Sequence, residues 1–106
     1  MESEYLNNEK ILILKITEEI DHHVAEKIRR KADLEIERHI PRKVIFDFRN
    51  VTFMDSAGIG LILGRYKNVT SLGGKIELVN VTDTVNKILI MSGMNKIINI
   101  NKEECA

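Results

Sequence analysis

Proline and cysteine occur once each in these 106 residues, tryptophan is absent, and aromatic residues make up 5%. Cys105 alone, one residue from the C-terminus, provides no disulfide framework and reads as an unremarkable tail thiol in a reducing interior. No apolar run approaches the ~20 residues that a membrane span needs. The opening Met1-Glu2-Ser3-Glu4 is acidic where a secretory leader would be basic. A cytoplasmic protein is therefore expected. An excess of one charge is missing too: 16 Lys and Arg balance 16 Asp and Glu, giving a formal net charge of zero. That removes the long-range pull toward nucleic acid or anionic membrane, so neither is expected as a partner. What remains is 43% hydrophobic and 30% charged, the composition of one globular domain over residues 1–106.

Along the chain, apolar runs alternate with amphipathic stretches. Lys10–Ile16 is a branched apolar run suited to a strand, with Tyr5-Leu6 as a hairpin partner across Asn7-Asn8. Asp21 is placed to cap a helix over His22–His39 whose apolar stripe is Val24, Ala25, Ile28, Ala32 and Ile36, stopped by Pro41. Val44–Phe48 is a second strand. A helix then runs to Leu72, with Ser56 at its N-cap and an inward stripe of Ile59, Ile62, Leu63, Tyr66 and Val69, and Gly73-Gly74 end it. Lys75–Val79 is a strand, Asp83–Met91 a short helix capped by Thr82 and closed by Gly93, and Lys96–Ile100 a last strand. This order predicts an α/β domain, a small mixed sheet with helices packed on it.

The stretch Phe53-Met54-Asp55-Ser56-Ala57-Gly58-Ile59-Gly60 concentrates an acid, a hydroxyl and two glycines between strand and helix. A hydrolase nucleophile elbow is disfavoured because Met54 stands where a small residue is needed. Gly58-x-Gly60-x-x-x-Gly64 misses the dinucleotide fingerprint because Leu63 holds the third glycine's place, and no phosphate loop is present. His22 and His23 are adjacent, about 100° apart on a helix, and His39 is far away, so no metal site or cofactor is expected. Asp47 and Asp55 read as solvated or capping carboxylates rather than an acid–base pair. No enzymatic activity is expected. Gly60, Leu61 and Gly64 fall opposite the apolar stripe, and two interior glycines give up almost ~2 kcal/mol of helix stability. They mark a smooth face for close approach of a partner, or for packing within the domain.

Ile20–Glu26, Phe53–Lys67 and Met91-Ser92-Gly93 before Lys96-Ile97-Ile98 together resemble the sulfate-transporter and anti-sigma-antagonist (STAS) domain family, in its sporulation-type, anti-sigma-F antagonist branch. The resemblance implies a non-enzymatic switch in transcription regulation. The unphosphorylated form would bind an anti-sigma factor that is also a serine kinase, freeing the sporulation sigma factor. Phosphorylation at Ser56 would switch it off, and a serine phosphatase would restore it. Asp21, His22, His23, Asp55, Ser56, Ala57, Gly58, Ile59, Gly60, Leu61 and Gly64 would form the docking face of a chain that is monomeric when free. Ala57 stands where close relatives often carry a second serine, which leaves Ser56 as the acceptor. The alternative is a STAS-like module that senses a ligand such as a nucleotide, or serves as a scaffold in a stress-signalling complex.

Overall fold

Alternating burial along the strands shows how the sheet is covered. The protein, described as a computed structural model over residues 1–102, has five strands in the order β1-β2-β3-β4-β5; Cys105 lies outside the described residues. β1 (Glu2–Leu6) and β2 (Ile11–Lys15) form an antiparallel hairpin, whereas β2–β3 (Lys43–Asp47), β3–β4 (Lys75–Val81) and β4–β5 (Asn99–Lys102) pair in parallel. In register, Leu12, Val44 and Ile76 form one buried row and Leu14, Phe46 and Leu78 the next. The intervening row, Ile13, Ile45 and Glu77, is only half-buried. One face of the sheet therefore carries the core. Right-handed crossovers between strands taken in order place α1 (His22–His39), α2 (Ser56–Ser71) and α3 (Asp83–Met91) on that same face.

The helix ends follow from local chemistry. Asp21 caps α1, its Oδ1 accepting from the Val24 N–H at 2.8 Å, and Thr82 caps α3 by accepting from the Val85 N–H at 3.3 Å. α1 buries Ala25, Ile28, Ala32 and Ile36 at helical spacing and stops at Ile40, which is left-handed (φ 44°) just before Pro41. The expected Val24 is only half-buried. At the end of α2, Gly73 has φ 85°, and the Gly74 N–H donates to the Val69 carbonyl at 2.9 Å.

Gly74 also fills a place no side chain fits. A Cβ there would lie 2.8 Å from the Pro41 carbonyl oxygen and 2.8 Å from Val69 Cγ1. The oxygen belongs to backbone that also joins the sheet, since the Lys75 N–H donates to the Arg42 carbonyl at 3.0 Å. Gly74→Ala should therefore destabilise the domain by about 1–3 kcal/mol, read as a lower denaturation midpoint at unchanged m-value. An unchanged midpoint would show that the two loops yield freely.

Two expectations need correction. The buried stripe of α2 is Gly58, Leu61, Ile62, Arg65 and Val69, one residue around from the expected stripe, while Ile59, Leu63 and Tyr66 flank it half-buried. Leu61, expected on the outer face, is only 4% exposed. The physical reason is Arg65: a charged residue occupies the centre of the buried stripe beside Asp33 of α1, and an apolar periodicity cannot register it. The last strand also starts later than expected. Gly93 (φ 81°) opens a single 3-10 turn over Met94–Lys96, with Met94 and Ile98 dropping into the core, so pairing begins at Asn99.

Candidate functional site

The β2–α1 and β3–α2 loops leave parallel strands at the same edge of the sheet, so the N-termini of α1 and α2 emerge side by side. A bridge holds them there. Glu19, in the first loop, accepts from the Thr52 N–H at 2.9 Å and also from the Thr52 hydroxyl in the second. These hydrogen bonds hold the Glu19 carboxyl below the ordinary carboxylate range, against the weaker opposing pull of desolvation. Below this clasp, Val51 and Met54 are buried and anchor the loop, which leaves Phe53 turned outward at 61% exposure.

Ser56 is not the cap of α2. Asp55 holds that position, with extended backbone (φ −117°, ψ −165°) and a side chain accepting from the Ala57 N–H at 2.9 Å. Ser56 is the first helical residue, exposed, and its hydroxyl makes no hydrogen bond to another described residue. A hydroxyl free of capping duty, in the positive end of a helix dipole, can accept a negatively charged group without breaking a native bond.

His22, His23, Ser56, Ala57, Gly60 and Leu61 line one groove between α1 and α2, of about 640 Å³. Asp21 and Asp55 are exposed caps at its upper end, and Ile59 and Gly64 are half-buried. Gly58 turns into the core, where a Cβ would lie 2.6 Å from Met54 Cγ. At Gly60 and Gly64 a Cβ would meet nothing within 4 Å, so close packing inside the domain accounts for neither. Asp47 is engaged in bracing the loops at the end of β3: it accepts from the Arg49 N–H at 3.0 Å and from Asn80 at 3.0 Å. Among the described residues no group of three or more potential ligands could hold a metal, and no helix is long and apolar enough to cross a membrane.

A STAS domain model matches residues 3–104. The chain belongs to the STAS domain family. It is 37% identical over 94 residues to the anti-sigma F factor antagonist of Paenibacillus polymyxa, covering 89% of this chain and 80% of that one. With the anti-sigma F factor antagonist of Lysinibacillus sphaericus it shares 32% identity over 83 residues, 78% of this chain and 71% of that one. The structure of the anti-sigma factor antagonist SpoIIAA in its unphosphorylated form superposes with a TM-score of 0.81 at 30% identity, covering 96% of this chain and 88% of that one. The phosphorylated form of the Bacillus cell fate determinant SpoIIAA superposes at 0.73 with 29% identity, over 96% and 91% of the two chains. The mixed sheet with helices packed on it is thus the STAS fold.

Sequence reasoning missed Glu19, Phe53 and Arg65. Glu19 and Arg65 act through tertiary partners, which no spacing reveals. Phe53 was legible as an exposed aromatic only once Val51 and Met54 were known to take the buried places beside it.

Proposed function

We propose that this protein is an anti-sigma factor antagonist in the control of sporulation transcription. Its unphosphorylated form binds an anti-sigma factor that is also a serine kinase and so releases the sigma factor. Phosphorylation of Ser56 ends that binding, and a serine phosphatase restores it. The observation that carries this reading is Ser56 itself, exposed at the first turn of α2 with a hydroxyl that no described residue engages. The relatives named as anti-sigma F factor antagonists, and a structural relative known in both unphosphorylated and phosphorylated forms, support the same assignment. In this reading Asp21, His22, His23, Asp55, Ala57, Ile59, Gly60 and Gly64 form the docking face with Ser56, with the edges of Gly58 and Leu61 beneath it.

Gly60 tests the face without disturbing the fold. Its open surroundings admit a side chain, and replacing an interior helical glycine gains up to about 1 kcal/mol of helix propensity. Gly60→Arg should melt no lower than the parent and yet lose most of its affinity for the anti-sigma factor in a calorimetric titration. Parental affinity in the folded variant would remove α2 from the docking face.

A further inference from the structure

Arg65 is the one charged residue among the buried ones described, 8% exposed, and it lies on the wall of the α1–α2 groove. Its Nε is 2.8 Å from Asp33 Oδ1, but the N–H is not directed at that oxygen, so the contact is an ion pair without a hydrogen bond. Nη1 is buried with no hydrogen-bond partner. Of an arginine's five donors, those on Nε and Nη1 are here buried without a hydrogen-bonded acceptor, which is costly. Burial accordingly pushes the Arg65 guanidinium down from its ordinary range, with Asp33 pulling the other way.

From this we infer that the groove is a binding site for a small amphipathic carboxylate, with its chain along Ala25, Ala57 and Leu61 and its head group on Arg65. The volume of about 640 Å³ lies within the roughly 300–1,000 Å³ of small-molecule sites, and Ala25, Ala57, Gly60 and Leu61 give the groove an apolar wall beside its polar and charged residues. Charge selects the head group. Arg29, Arg30 and Arg65 share two carboxylates, Glu26 and Asp33, which leaves one positive charge for a monoanion. A phosphate dianion or a nucleotide triphosphate would overcompensate that charge beside Glu26, which lines the groove. A planar carboxylate also suits a guanidinium, and it would meet Arg65 at Nη2, the edge that reaches the groove, since Nε and Nη1 are shielded from solvent.

The site is tested on the full chain alone, so its failure leaves the anti-sigma assignment as it stands. ¹⁵N-labelled protein is titrated with octanoate, octanol, inorganic phosphate and ATP while amide and arginine Nε–H signals are followed. Octanoate should give saturable shifts at Ala25, Ala57, Leu61 and the Arg65 Nε–H; octanol and phosphate should not, and ATP should leave these signals in place. Arg65→Met keeps the length and apolar bulk of the side chain, and should weaken octanoate by about tenfold or more. Should that variant fail to fold, Gly60→Leu blocks the groove from an exposed helical position and must abolish the shifts. The proposal is overturned if octanoate gives no saturable shifts, if octanol binds as well, if phosphate or ATP occupies the same residues more tightly, or if octanoate binding survives in a folded Arg65→Met or in Gly60→Leu.

Discussion

Phosphorylated at Ser56, the protein should bind its anti-sigma partner about 100-fold more weakly or worse, because burying an uncompensated charge in a complex costs about 3–5 kcal/mol. Its melting temperature should scarcely move. A phosphoryl group adds about −1.5 to −2 charges at pH 7. At the first turn of α2 that charge meets free N–H groups and the positive end of the dipole, worth about 0.3–1 kcal/mol when exposed. No native hydrogen bond of the Ser56 side chain is lost, since Asp55 holds the cap. The cost falls on the complex, whose partner must desolvate a dianion flanked by Asp55 at an edge that Asp21 shares. Because capping belongs to Asp55, Ser56→Ala should keep its stability to within about 0.5 kcal/mol and bind constitutively. Ser56→Asp, with one charge and a shorter reach, should bind at an intermediate level. Titration of the partner against all four forms, beside a melt of each, separates binding from stability. A phosphorylated form that binds as tightly as the unmodified one, or that fails to bind only because it has melted, would refute the switch.

Leu61→Ala should act in the opposite way, on the fold first. Leu61 is 4% exposed and belongs to the stripe that packs α2 into the core. Truncating a buried leucine costs about 2–5 kcal/mol through lost transfer energy and the cavity left behind. That is a large share of the 5–15 kcal/mol by which a domain is ordinarily stable. The loss should appear as an earlier denaturation midpoint at unchanged m-value. A variant of parental stability with reduced affinity would put Leu61 back on the outer face. Gly60→Arg, one residue earlier on the helix, is the matched contrast, since there affinity is lost without stability.

Read alone, the sequence determined most of the architecture. The bounds of α1 and α3, their caps Asp21 and Thr82, and the glycine stop after α2 are written in residues whose effect is local: a carboxylate or hydroxyl that reaches a backbone N–H three positions on, and a glycine free to take positive φ. The hairpin and the period-two strands were legible for the same reason. At the site, the nearness of His22 and His23 to Ser56 was implied by the family resemblance, and parallel strands delivering their loops to one edge produce it.

Tertiary structure alone decided the rest. Asp55 and Ser56 are adjacent residues that both make good caps, and the choice between them rests on how the Val51 and Met54 anchors and the Glu19–Thr52 clasp aim the chain into the helix. The rotation of α2 by one residue was hidden because hydrophobic periodicity counts arginine as a surface residue. Arg65 is buried because Asp33, 32 positions earlier on a neighbouring helix, compensates its charge. Interactions between residues close in sequence act through geometry that the helix and strand repeats fix in advance. A buried charge is tolerated only where a distant partner meets it, and that meeting exists only after the helices have packed.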